Sequence, residues 1–296
     1  MNYSVKLRSG DSIHSTLSNR PSVKGKFSKI FLLLHGFPDN NESFQELAKI
    51  LDKNYPKALI LSPLMRGYEP SSYHKFNEYK PSDLAEDVHN WVEALGRPVT
   101  LIGHDWGAIA SFKAASMYPD DFESVITMAI PYLSNLHLHD LLFYAPEQFY
   151  YSSYFLTMQS SYFYGKLRQL GSKSYLNKLW EYWSPSYQFD DDIEPVRKTL
   201  LFEDTIDHVT AYYRCVMNPL NIRHIRGHID FDKVPTLIMG GREDQCMTVR
   251  LFELEERKLQ KFPNAKVEIV DGVGHFLHRE NPKLIGDLIL DWLKEH

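Results

Sequence analysis

One stretch constrains this chain more than any other. The apolar run Pro98-Val99-Thr100-Leu101-Ile102 enters Gly103-His104-Asp105-Trp106-Gly107 and continues into Ala108-Ile109-Ala110-Ser111-Phe112-Lys113-Ala114-Ala115. A strand, a tight turn flanked by glycines and a helix that stops before Pro119 make a nucleophile elbow, in which small neighbours let a strained turn lift one side chain above a sheet. The lifted residue is aspartate, where serine is usual. Serine would form an acyl-enzyme. A carboxylate instead displaces a leaving group at saturated carbon and forms an alkyl ester, which suits strained ethers or carbon–halogen bonds rather than amides or carboxylic esters.

The rest of the chain supplies a sheet for that elbow. Runs at Lys29–Leu34, Ala58–Leu61, Val99–Ile102 and Val125–Ala129 read as strands, with helices between them at 43–52, 81–95 and 107–117. Continuous apolar strands alternating with helices predict a largely parallel sheet covered on both faces. Tyr3–Arg8 and Ser12–Leu17 suggest an opening hairpin around Gly10-Asp11. The pattern resumes with strands at Thr236–Met239 and Lys266–Val270 and helices at Val249–Lys261 and Pro282–Lys294. Between the halves it stops, and residues 143–189 hold sixteen aromatics. So much aromatic surface will not stay in water, so the segment is expected to fold as helices over the carboxyl edge of the strands. The expected organisation is a core of residues 1–132 and 223–296 with a helical cap, or lid, at 133–222.

Composition excludes several classes. A formal charge of -5 without a long basic run argues against nucleic acid. The first residues lack an apolar leader core and no run of eighteen apolar residues occurs, so the expectation is a soluble, cytoplasmic protein without a membrane partner. Cys215 and Cys246, the two cysteines, lack metal-type spacing and read as free thiols.

An aspartyl ester must be hydrolysed by a base active near neutrality. His275, in Gly272-Val273-Gly274-His275-Phe276 beyond the last strand, is placed to be that imidazole. A carboxylate should orient it, and Glu243 and Asp244 both follow the strand before. His35-Gly36-Phe37-Pro38 ends the first long strand. Its expected task is to offer the Phe37 backbone N–H to an oxyanion hole, with that of Trp106 as second donor, while His35 hydrogen-bonds the loop. Asn135-Leu136-His137-Leu138-His139-Asp140 carries alternating histidines, but no further ligand cluster accompanies them, and His224, Arg226 and His228 read as solvated surface.

These residues identify a resemblance. His35-Gly36-Phe37-Pro38-Asp39-Asn40, Arg66-Gly67-Tyr68-Glu69-Pro70-Ser71, Gly103-His104-Asp105-Trp106-Gly107-Ala108 and Gly274-His275-Phe276 together resemble the epoxide hydrolase family of α/β-hydrolases, similar to the hydrolase domain of soluble epoxide hydrolases. One departure is Glu69, where the family commonly has glycine. The resemblance implies an α/β-hydrolase fold and selects Asp244 over Glu243 as the orienting acid. The earlier strand end where some relatives carry that acid, Met128-Ala129-Ile130-Pro131-Tyr132, has no carboxylate. It further implies two tyrosines that protonate the opening epoxide. Tyr213 in Ala211-Tyr212-Tyr213-Arg214 is one; Tyr151 in Tyr151-Ser152-Ser153-Tyr154-Phe155 is preferred for the other, with Tyr154 and Tyr150 as substitutes. His35, Pro38, Tyr154, Trp180, Trp183 and Phe276 are the expected pocket lining. The implied reaction converts a small apolar epoxide to a vicinal diol through a covalent Asp105 ester, with no metal or organic cofactor, and leaves homo-oligomerisation open.

Two other readings compete. Haloalkane dehalogenases share the aspartate, the following tryptophan and the histidine, but they bind halide through N–H donors. Phe37 stands where some of them have asparagine, while Trp180 or Trp183 could still serve. A non-catalytic member of the fold would be expected to lack part of this set. A serine esterase would lack its nucleophile.

Overall fold

The computed structural model describes residues 2–6, 12–16 and 27–296. Its eight strands are β1 (Asn2–Lys6), β2 (Ser12–Thr16), β3 (Ile30–Leu34), β4 (Leu59–Pro63), β5 (Val99–His104), β6 (Phe122–Met128), β7 (Thr236–Gly241) and β8 (Ala265–Val270). They form one sheet in the order β1-β2-β4-β3-β5-β6-β7-β8. The strands from β4 to β8 in that order are parallel, whereas β2 pairs antiparallel with both β1 and β4. The hairpin expected at the start is therefore present as a strand pair, and its turn at Gly10-Asp11 lies outside the described residues.

The core helices are α1 (Gln45–Asn54), α2 (Pro81–Leu95) and α3 (Trp106–Met117). Nine more follow between β6 and β7: α4 (Leu138–Phe143), α5 (Glu147–Tyr151), α6 (Tyr154–Thr157), α7 (Ser161–Tyr164), α8 (Tyr175–Trp183), α9 (Ile193–Leu200), α10 (Thr205–Val209), α11 (Ala211–Met217) and α12 (Ile222–Ile225). The chain closes with α13 (Val249–Leu259), α14 (Leu277–Glu280) and α15 (Pro282–Glu295). Local chemistry sets the ends of α2: Pro81 occupies its first turn, the Lys80 N–H donates to Asp83, and Gly96 ends it at φ 75°.

Alternation along each buried strand sends side chains to two separate cores. Phe31, Leu33, Ile102, Ile126 and Leu237 face Leu47 and Leu51 of α1 and Ile285 and Ile289 of α15. Leu32, Leu34, Leu101, Val125 and Ile238 face Val88 and Trp91 of α2, the alanines of α3 and Phe252 of α13. Because α3 presents Ala108, Ala110, Ala114 and Ala115, it can lie close against the strands. Both faces of a parallel sheet are thus covered, as its continuous apolar strands require.

Topology fixes where a ligand can bind. β3 lies between β4 and β5, so the connections leaving the ends of β3 and β5 diverge and open a crevice there. The loop of Gly36 and Phe37 and the turn at Asp105 meet in this crevice. Helices between β6 and β7 reach this crevice, with Trp180 of α8 donating its indole N–H to the Pro38 carbonyl at 3.0 Å and Tyr213 of α11 packing edge-on against Phe37 and Trp106. No helix among the described residues is long and apolar enough to cross a membrane. Cys215 and Cys246 are both free and buried.

Candidate active site

Asp105 stands at the junction of β5 and α3 with φ 51° and ψ -115°, in the left-handed region that a non-glycine residue enters only when its surroundings hold it there. Its N–H donates to the Met128 carbonyl and its own carbonyl accepts from Ile109. Gly107 makes the turn sterically feasible, since a Cβ there would lie 2.0 Å from the Leu34 carbonyl oxygen. Gly36 has the same role across the crevice, where a Cβ would fall 2.4 Å from that of Asp105.

The aspartate is 2% exposed, and its two oxygens face different partners. Oδ1 accepts the Phe37 N–H at 2.7 Å. Oδ2 lies 3.7 Å from His275 Nε2. Trp106 opens α3, where the first backbone N–H groups have no intrahelical acceptor. The Phe37–Pro38 peptide is cis. His35 supports this loop by hydrogen bonding: its Nδ1 lies 3.1 Å from the Gly36 carbonyl and its Nε2 accepts the Met65 N–H at 3.1 Å. Burial lowers its pKa to about 4, so it braces the loop as a neutral group. Tyr68, which sequence reasoning noted only within a motif, adds a hydrogen bond from its hydroxyl to the Gly36 carbonyl at 3.0 Å.

His275 Nδ1 is 2.9 Å from Asp244 Oδ2, and the other Asp244 oxygen accepts the N–H groups of Cys246 and Met247 at 2.6 and 3.0 Å. Glu243 turns away, accepting from Ser186 at the surface. Burial disfavours a charge on His275, but Asp244 and then Asp105 outweigh it and raise the pKa to about 10. The imidazole Nε2 has no hydrogen-bond partner among the described residues, and neither does the Tyr213 hydroxyl.

The helix α8 fixes the base from above. Its last residue, Trp183, has a carbonyl beyond the reach of the helix's own N–H groups, and this oxygen accepts from His275 N–H at 3.2 Å and Gln245 N–H at 3.4 Å. The Trp183 ring lies 5.0 Å from that of His275, and Phe276 stacks on Trp180 at 4.2 Å.

The tyrosines divide differently from expectation. Tyr213 is fully buried beside Phe37, Trp106, Tyr154 and Phe155. Tyr154, at the start of α6, lies 5.6 Å from Tyr213 and 5.0 Å from Trp183 between ring centroids, with its hydroxyl 3.5 Å from Cys246 Sγ. Burial raises both phenols well above the usual range, with Asp105 adding to the effect on Tyr213 and Cys246 to that on Tyr154. Tyr151, the preferred second tyrosine, instead sits at the end of α5 with its ring against Tyr150 and Tyr182. The chain turns between α5 and α6, so that Tyr154 meets Tyr213 while Tyr151 lines an open cleft with Glu243, Asp244 and Gln245.

Two buried groups bring metal-binding side-chain types within 4.8 Å: Asp39 with His104 and His278, and Asp244 with Cys246 and His275. In the first, Arg279 already pairs with Asp39 at 2.7 Å; in the second, Asp244 and His275 hold each other. Trp180 cannot serve as a halide donor while its N–H is held by Pro38, which removes one of the two donors left open by the dehalogenase reading.

The sequence profile of the alpha/beta hydrolase fold matches residues 29–282. The chain is 26% identical over 283 residues to Epoxide hydrolase 3 of Xenopus tropicalis, covering 91% of this chain and 72% of that protein. It is 24% identical over 274 residues to Epoxide hydrolase 4 of Mus musculus, covering 90% and 73%. Among solved structures, a Bacillus megaterium epoxide hydrolase in complex with an inhibitor superposes with a TM-score of 0.77 at 20% identity, covering 99% of this chain and 100% of that one.

Proposed function

Because the chain belongs to the α/β-hydrolase fold family, with an aspartate in place of the usual serine, we propose that it hydrolyses epoxides to vicinal diols through an alkyl ester of Asp105. The observation that carries this reading is the placement of two protonated phenols, Tyr213 and Tyr154, beside an aspartate whose Oδ1 is held by the Phe37 N–H. Similarity to the named epoxide hydrolases supports it.

Oδ1 is engaged, so Oδ2 is the attacking atom. It forms a bond to one epoxide carbon as the carbon–oxygen bond of the ring breaks, and a tyrosine hydroxyl gives its proton to the departing oxygen. The resulting tyrosinate is costly in this buried setting and recovers a proton from the His275 imidazolium. That transfer becomes favourable because esterification removes the Asp105 charge that helped to hold the proton on His275. Neutral His275, oriented by Asp244, then takes a proton from water as the oxygen attacks Cγ of Asp105. The oxyanion develops on Oδ1, where the Phe37 N–H already lies at 2.7 Å. Collapse expels the diol alkoxide, which takes the proton of the newly formed carboxyl group, and the resting carboxylate and imidazolium return.

The diol therefore keeps the original Oδ2. A single turnover in heavy-oxygen water should label Asp105 and leave the first diol unlabelled; label in that diol would exclude the ester. His275→Gln should accumulate the ester, seen as a mass increase of the intact protein equal to the epoxide. Haloalkanes assayed in parallel should release no halide.

A further inference from the structure

The nucleophile and its base are closed off from solvent, Asp105 at 2% and His275 at 0% exposure, so substrate needs a path to them. A cleft of about 380 Å³ opens on the outside of α5, α6 and α8. Tyr150, Tyr151, Tyr182 and Leu179 line it, and Tyr154 and Trp183 form its inner end. Those last two side chains face both ways: Tyr154 packs on Tyr213, and Trp183 packs on His275. Their edge-to-face contact, 5.0 Å between centroids, lies between the cleft and the catalytic group.

The cleft lining is mainly aromatic, with Ser153 and Thr157 between the rings. Tyrosine rings stand edge-on to one another, with Tyr182 6.2 Å from Tyr151 and 6.5 Å from Tyr150. Among the described residues no carboxylate lines it, and Lys178 is its one cationic side chain. Its volume is within the range of small-molecule pockets, and tilted aromatic walls favour an inserted ring over water.

Resting on the epoxide hydrolase reading, we infer that this cleft binds the apolar arm of the substrate, and that Tyr154 and Trp183 are the partition through which the epoxide reaches Asp105. The preferred substrates are epoxides bearing an aryl substituent, and Tyr182, which touches neither nucleophile nor base, is a specificity-determining residue.

The experiment compares phenyl glycidyl ether with propene oxide in wild type and in Lys178→Trp, which fills the cleft from an exposed helix position. kcat/KM for the aryl epoxide should fall at least tenfold, mainly through KM, while that for propene oxide stays within threefold. If the ratio of the two values stays within threefold of wild type, the proposal is overturned. Tyr182→Ala, which removes a wall, is expected to lower the same ratio and keeps the test decisive should the first variant not fold. Titration calorimetry with 3-phenoxypropane-1,2-diol separates the two layers of inference. A wild type that hydrolyses neither epoxide, yet binds this diol tenfold more tightly than Lys178→Trp, refutes the reaction but retains the cleft. Equal affinity in both proteins refutes the cleft.

Discussion

Neutralising Asp105 without changing its shape should release the proton that His275 holds. The imidazole has a pKa of about 10 against an ordinary 6.5, because Asp244 and Asp105 together overcome the burial that opposes its charge. A pKa raised on folding stabilises the folded protein fully below the unfolded value, and that contribution is lost as pH rises through the folded one. At about 1.36 kcal/mol per pH unit, the upper limit is about 5 kcal/mol, of which about 3 kcal/mol disappears between about pH 6.5 and pH 9. Asp105→Asn keeps Asp244 but removes the second carboxylate, so the decline in stability over this range should become shallower. Urea unfolding at several pH values, with histidine ring protons followed by NMR, measures both quantities. Groups elsewhere titrate equally in the two proteins and cancel in the difference. The same stability slope in both proteins, or a His275 titration unmoved by the substitution, would refute the claim that the ester state frees the base.

Other expectations follow from single contacts. Tyr213→Phe and Tyr154→Phe should each lower kcat by roughly tenfold to a thousandfold, as loss of a proton donor does, whereas Tyr151→Phe should stay within about threefold; epoxide turnover under saturating substrate decides. Arg279→Leu strands the buried Asp39 carboxylate that it grips at 2.7 Å and should cost about 3 to 5 kcal/mol in urea unfolding. Glu255, raised by burial to about 7, is the opposite case to a salt-bridged acid: its protonated form is favoured on folding, so its contribution is present below about pH 4.5 and lost as pH rises through about 7. Glu255→Gln should therefore gain stability over wild type at about pH 8 relative to about pH 5, by up to about 3 kcal/mol, and thermal melts at both pH values check it.

The sheet and the elbow were legible because their signals are local. Buried strands are continuous apolar runs, and the turn at Asp105 needs its small neighbours within two residues of the nucleophile. His275 was legible for a related reason, as it follows closely on a strand end, whereas the strand end before it left Glu243 and Asp244 both open and only the family resemblance chose between them. Tyr151 and Tyr154 differ in another way. Helices of four or five residues, such as α5 and α6, carry too little periodicity to show which face points inward, and the inward choice is made by contacts with Trp183, Tyr213 and Cys246, distant in sequence. The tie from Trp180 to Pro38, which spans 142 residues, is equally invisible before folding. Of the two hydrogen bonds by which His35 braces the loop, to Gly36 and to Met65, the one to Met65 joins residues whose meeting depends on the fold of the whole sheet.

The carbonyl of Trp183 joins two loops that begin on different strands, since it accepts from both His275 and Gln245. The C-terminal end of α8 is thus tied to the backbone of His275 as well as to that of Gln245. A replacement insertion grafted onto this core must bring a helix whose final carbonyl reaches the same two amides, or the histidine loses its anchor even with every catalytic side chain retained. The exchange rates of those two amide protons then report how firmly the end of α8 is held to the His275 and Gln245 loops.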